Sequence, residues 1–419
     1  MRRRVLPALA AALLVASVAA CSTKSPAPSS TGPSGDPIVV GSTLSLTGAF
    51  AATGIIHKIA GEEFIDRLND SGGLLGRPVK WDLLDDQSDT TKIAGLYEQL
   101  ITQDKVDLIL GPYATPNILA AMAVAERHGY VLPHHTAVLA PQLTYSCQFP
   151  GWSIGPTPNS YIPNELFDAL ATLPNPPKKI AILTSQSGSA AFVTNGLGDD
   201  KTGFPTVAAA RGMQVVLNES YAPTTTDWTN LATKVRDAQP DILISNSLGV
   251  DTVGQLNAMK QLGYQPPLTF SLFPAPGPLL GLGADSENIM SVSIFEPNAP
   301  IIASMGGDVQ SIVDDFKTRA QAANVPYTAF ETQAAASWNA WQILIDGVQE
   351  ANSLDNTKIC DALHAKGADT VFGGHLSFDP TVHNFWPTNL GIKQIQGGDW
   401  VMVWPTTRSA GQLKGPSAS

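Results

Sequence analysis

Charge is scarce in this sequence, and positive charge most of all. Only 15% of its 419 residues are charged, with 25 basic residues against 36 acidic ones. The usual charged fraction is about a quarter, and the basic footprint that nucleic-acid binding needs is missing. Cysteine is nearly absent too: only Cys21, Cys147 and Cys360 occur. Unclustered, they make no metal site. In an oxidising compartment Cys147 and Cys360 could pair as a disulfide, or they could stay free thiols. Past residue 21 no stretch approaches the ~20 apolar residues of a membrane-crossing helix. Catalytic signatures are lacking as well. Ser187-Gly188-Ser189 has no glycine where a nucleophile elbow needs one, and neither a Walker loop nor a dinucleotide glycine fingerprint is present. No cofactor and no enzymatic activity are therefore expected.

What is present begins with the N-terminus. Arg2, Arg3 and Arg4 precede an almost unbroken apolar run, and small residues lead up to Cys21. That is the pattern of a secretory signal peptide over residues 1–20. Val18-Ala19-Ala20-Cys21 resembles a bacterial lipoprotein box, which implies a diacylated Cys21 as the mature N-terminus. Two acyl chains anchor stably where one does not. General secretory and twin-arginine export both remain open. Residues 21–37, nearly all Ser, Thr, Pro, Gly and Ala, read as a flexible tether. Without the leader's three arginines the net charge is −14, from 22 basic and 36 acidic residues.

From residue 38 short apolar runs alternate with helix-periodic segments. Strands are expected at 38–44, 80–84, 106–110 and 130–132, with helices at 55–69, 90–103 and 116–128. The Ile-Val-Val and Leu-Ile-Leu runs are continuous rather than alternating, as in strands buried on both faces of a parallel sheet. The rhythm then restarts. Strands are expected at 179–183, 214–216, 241–245 and 268–270, helices at 190–201, 227–238 and 252–262. A late strand falls at 400–404. The predicted class is α/β, two doubly wound parallel-sheet lobes. Ligands of open parallel sheets bind beyond the carboxyl ends of the strands, so facing lobes make a cleft that can close on a solute.

The chain resembles the type I periplasmic binding proteins, specifically the leucine/isoleucine/valine-binding family of ABC importers. The resemblance rests on Leu46-Thr47-Gly48 with Gly54, Gly72-Gly73 with Gly76, and Asp85-Asp86-Gln87-Ser88-Asp89 with Lys92. It continues through Gly111-Pro112-Tyr113-Ala114-Thr115, Phe372-Gly373-Gly374 and Phe378-Asp379, then Gly397 to Trp404. It implies lobes joined by a three-crossing hinge: 38–157 with 298–388, and 158–297 with 389–405, followed by a flexible tail, 406–419. It also implies a small-molecule solute, a membrane permease as partner and a monomeric protein. A ligand-sensing receptor of the same fold is the alternative, and a secreted α/β hydrolase a weaker one.

Thr115-Pro116 reads as a helix N-cap with proline at the first helical position. The free N–H groups there suit a carboxylate, and the resemblance assigns that role to Thr115 beside Tyr113 and Ala114. A second carboxylate-binding segment aligns with Thr136-Ala137-Val138, where Thr136 could replace Val138 after a one-residue slip. In the other lobe the family's tyrosines align near Ser189 and Leu248, and its ammonium-binding acid near Pro274, beside Phe273. A buried ammonium without a counter-charge is costly, which turns the expectation toward a small carboxylate or amide with an apolar body. Asp251 or Glu296 could supply the charge, although each reads more readily as a solvated surface residue. Phe50, Tyr113 and Phe273 could form an aromatic wall. His134 and His135, neighbours on an extended segment, point to opposite faces and do not chelate a metal easily.

Overall fold

The computed structural model describes residues 32–135, 137–139, 143–199, 201–385 and 390–416. The expected leader, Cys21, most of the tether and Thr136 lie outside the described residues. The chain runs β1 (Ile38–Leu44), α1 (Ala51–Asp70), β2 (Val79–Asp85), α2 (Thr90–Thr102), β3 (Leu108–Ile109), α3 (Thr115–His128), β4 (Leu132–His134) and β5 (Gln148–Pro150). Next come α4 (Pro158–Ala171), β6 (Lys179–Ser185), α5 (Gly188–Asn195), α6 (Phe204–Ala210), β7 (Gln214–Tyr221) and α7 (Thr229–Ala238). They are followed by β8 (Ile242–Gly249), α8 (Asp251–Gln261), β9 (Leu268–Pro274), α9 (Pro276–Leu280) and β10 (Ile289–Ser293). The last part comprises α10 (Ala299–Met305), α11 (Val309–Ala322), α12 (Thr332–Ala351), α13 (Asn356–Lys366), β11 (Ala368–Thr370), β12 (Gly374–Leu376), β13 (Gly391–Gln396) and β14 (Asp399–Trp404).

The first lobe is built on a parallel sheet of order β2-β1-β3. Gly111 N–H donates to Pro133 O at 2.7 Å, so the parallel pair β4–β5 continues it. The second lobe carries a sheet of order β14-β13-β10-β9-β8-β6-β7, parallel from β10 to β7 and closed at the other edge by an antiparallel hairpin. Strand β9 is buried along its whole length, the small hydroxyls of Thr269 and Ser271 included, as in a strand covered on both faces. The chain passes between the lobes three times: after β5, after β10, and between Phe385 and β13. This is the α/β, two-lobed architecture that the alternation of strands and helices implied.

Local chemistry starts and stops the elements. Asp89, Glu331 and Asp355 each accept a first-turn N–H, opening α2, α12 and α13. Gly54 of α1 lies so close to Ser45 that a Cβ would meet its carbonyl oxygen at 1.9 Å, so glycine lets α1 seat on the end of β1. Several expected boundaries differ, two of them for a plain local reason. Tyr130 donates its N–H to Ala125 O as part of the Gly129 cap of α3, so the next strand starts later, at Leu132. Helix α5 ends at Asn195 rather than 201, because Gly196 adopts φ +70°.

The C-terminal segment corrects another expectation. Residues 406–416 are no loose tail but lie along β13–β14. Ala410 N–H donates to Met402 O (2.8 Å), Lys414 N–H to the Gln394 side chain (2.9 Å), and Gln396 to Gln412 O (2.7 Å). Cys147 and Cys360 are joined as a disulfide, Cα–Cα 5.4 Å, tying the segment before β5 to α13. Trp338 and Trp341 of α12 pack into the core, against Phe64 and, for Trp341, Trp81.

Candidate functional site

Where the carboxyl ends of both sheets face each other, a narrow cavity of about 30 Å³ is lined by Tyr113, Ala114, Thr115, Val138, Trp152, Ser189, Leu248, Phe273 and Gln333. Seven of the sequence-derived candidates therefore meet there: Tyr113, Ala114, Thr115 and Val138 from the first lobe, Ser189, Leu248 and Phe273 from the second. Phe50 stands one layer back, edge-on to Tyr113 with ring centroids 5.9 Å apart. Ala137 is fully buried and does not line the cavity. Two lining residues were not foreseen. Trp152 lies just past β5, on the first passage between the lobes, and meets Phe273 edge to face at 5.9 Å. Gln333 sits in the first turn of α12. No sequence signal marked either residue.

The first-lobe rim is shaped by the start of α3. Ala114 rather than Thr115 is its N-cap, with φ +74°, a backbone conformation that is costly without glycine and characteristic of functional sites. The Thr115 hydroxyl does not cap the helix. It accepts the Val138 N–H at 3.1 Å and so fastens the 137–139 segment to the rim. The positive end of α3 opens on the cavity. Phe50 is placed by the acidic motif: Ser88 accepts its N–H (3.0 Å) and donates to Thr47 O (2.7 Å). Asp86, buried beneath, accepts from Thr43 and from the Ser88 N–H.

On the facing side β8 breaks register against β9 between Ser245 and Leu248, which turns Leu248 toward Phe273. A buried knot of hydroxyls stands behind the bulge. The Thr252 hydroxyl lies 2.7 Å from that of Ser271, 2.8 Å from Ser247 and 2.9 Å from Ser245.

The acids proposed as counter-charges are engaged elsewhere. Glu296 is fully buried, not solvated, and binds Lys393 Nζ at 2.7 Å; Glu331 binds the same ammonium at 3.2 Å. Lys393 stands 4.6 Å from the centre of the Trp400 ring. Burial raises the Glu296 carboxyl to about 7. Asp251 accepts the Tyr221 hydroxyl at 3.0 Å and is raised by burial to about 6.

Behind Tyr113 lie three buried histidines. His57 stacks on His135 at 3.9 Å and lies 5.1 Å from the Tyr113 ring. The Gln333 amide approaches His57 without reaching hydrogen-bond geometry, and neither ring nitrogen has a partner. His134 contacts Gln148 (2.6 Å) and His135 contacts Pro112 O (3.2 Å), on opposite sides of the extended segment. Among the described residues, no group of three or more His, Cys, Asp or Glu could hold a metal.

Two parallel-sheet lobes, a thrice-crossed hinge and a cavity walled from both sides define a cleft-type binding protein. The family model for "Periplasmic binding protein" matches residues 37–398, and the chain belongs to that family. A Brucella abortus relative, "Leu/Ile/Val-binding protein homolog 8", is 27% identical over 233 residues, covering 54% of this chain. The chain spans about half the length, 55%, of the curated relatives it matches. Among solved structures, a Thermotoga maritima leucine binding protein is similar, with TM-score 0.70 and 17% identity over 87% of this chain and 97% of that one. A Rhodopseudomonas palustris ABC transporter solute binding protein in complex with benzoate gives TM-score 0.70 and 17% identity, covering 92% and 98%. A Streptococcus pneumoniae branched-chain amino acid transporter substrate binding protein in complex with isoleucine gives 0.68 and 18%, covering 87% and 98%. At these identities the structures share the fold.

Proposed function

We propose that this protein captures a small amino-acid-like, carboxylate or amide solute in the interlobe cavity and hands it to an ABC permease. It works outside the cytoplasmic membrane as a monomer, on a lipid anchor at Cys21. The observation that carries this reading is the cavity itself, closed by residues of both lobes and lined without a charged side chain. Leucine, isoleucine and benzoate, named for the structural relatives, each join a carboxylate to an apolar body. No covalent step is needed. Binding energy that favours the closed form over the open one shifts the population toward the form a permease recognises.

A thermal-shift screen of amino acids, aromatic acids, amides and urea tests the capture role. A ligand at 100 times its Kd adds about 2.7 kcal/mol, a shift of several degrees. Silence across all four classes would defeat the proposal. The anchor has its own assay: Cys21→Ser should move the protein from the membrane fraction to the soluble one.

A further inference from the structure

We propose that the cavity, if it is the ligand site as argued above, selects an aromatic carboxylate that carries no ammonium group. Its walls supply the first reason. Trp152 and Phe273 form an edge-to-face pair at 88°, one from the first interlobe passage and one from the second lobe. Tyr113 adds a third ring, itself steadied by Phe50 at 76°. Val138 and Leu248 complete the apolar surface. Rings presented from three separate elements offer a planar guest the offset and edge-on contacts that aromatic groups favour.

The second reason is the disposition of charge. None of the nine lining residues is ionisable except the tyrosine. Three acids that neighbour the second-lobe and α12 walls in sequence are already committed. Glu331, two residues before Gln333, and Glu296, just beyond β10, share Lys393. Asp251, three residues past Leu248, holds the Tyr221 hydroxyl. An arriving ammonium would be stripped of water with no anion to meet it, an unfavourable exchange unless a partner is in place. Leucine and phenylalanine must place such a group in the cleft; their des-amino counterparts need not.

Third, the polar groups that remain suit a carboxylate. The N-terminus of α3 opens on the cavity at Ala114 and Thr115. Facing it, Ser189 is only 3% exposed and lines the cavity, and its hydroxyl has no hydrogen-bond partner among the described residues. A hydroxyl on the cavity wall with no protein partner is free to donate to a ligand oxygen.

Calorimetry on the intact protein decides the matter with benzoate, benzamide and two matched pairs: phenylalanine with 3-phenylpropionate, and leucine with 4-methylpentanoate. Each des-amino acid should bind at least about 100-fold tighter than its amino acid, and benzoate should bind tighter than 4-methylpentanoate and benzamide. Ser189→Ala should weaken benzoate about tenfold with unchanged thermal stability. An amino acid binding as tightly as its des-amino partner would overturn the selectivity while leaving solute capture intact. Benzamide matching benzoate would overturn the carboxylate. Equal binding of benzoate and 4-methylpentanoate would overturn the aromatic preference. Silence from all six overturns this inference, and capture itself falls only if the wider thermal screen is silent too.

Discussion

Thr115 shows how one hydroxyl can serve both shape and chemistry. By accepting the Val138 N–H it holds two first-lobe lining segments together at the positive end of α3. Thr115→Ala should weaken a carboxylate ligand by about 1–2 kcal/mol, read by calorimetry, whereas Thr115→Ser should keep most of the affinity. Unchanged binding in the alanine variant would remove Thr115 from the site. His57 makes a different residue-scale case. Burial and the neighbouring His135 hold its ring well below the ordinary value of 6.5, and His134 and His135 sit at about 4. As pH falls below 6.5 the unfolded chain takes up protons that these folded histidines refuse, so stability is lost through that window. The buried carboxyls of Glu63 and Glu296, raised to about 8 and 7, act in the opposite sense. A difference measurement isolates the imidazole: relative to His57→Phe, the wild type should lose up to about 1.4 kcal/mol per pH unit below 6.5. Parallel denaturation profiles would show that His57 charges freely in the fold.

At the scale of elements, the disulfide and the C-terminal strap matter most. Cys147 and Cys360 are 213 residues apart in sequence, and their bond restrains the unfolded chain across that span. Replacing both with alanine should cost about 2–4 kcal/mol, seen as a lower urea midpoint; an unchanged midpoint would mean the link restrains nothing. Parity of two cysteines could raise that pairing as an option, but only proximity of α13 to β5 selects it. The strap over β13–β14 was illegible for a related reason. Residues 406–416 are compositionally bland, and what binds them is the side-chain amides of Gln394 and Gln396 on another element. By contrast, β1, β6, β8 and β9 were readable, since each is built around short apolar stretches and is buried along most of its length, while β5 and β10–β13 were not among the expected strands.

For the molecule as a whole, the question is how two lobes share one hinge. Lys393 of β13 joins Glu296, on the passage after β10, to Glu331 at the start of α12, all three buried. Lys393→Met would leave two buried carboxyls without a counter-charge, a loss of about 3–5 kcal/mol at pH 8. Because the folded variant retains protons that the unfolded chain gives up, the deficit should narrow toward pH 6. A constant deficit across that range would show the carboxyls to be solvated. The lobes already touch beside the cavity, where α3 packs on α5 and the Leu139 side chain lies against Gly188. A ligand that holds the lobes in this contact should give a smaller radius of gyration in X-ray scattering than the ligand-free protein shows. Identical values would argue against hinge closure.

The sequence by itself determined the alternation of buried strands and helices, the doubling of that series, and most first-lobe and second-lobe wall positions. The alternation and its doubling depend on local periodicity, whereas the wall positions follow from the resemblance to the binding-protein family. Tertiary structure alone decided that Trp152 and Gln333 enter the cavity, that Thr115 binds Val138 instead of capping α3, and that Glu296 and Glu331 are spent on Lys393. Each of those outcomes turns on groups brought together by packing from distant parts of the chain, and burial, which sets their charge and their partners, exists only once the lobes have formed.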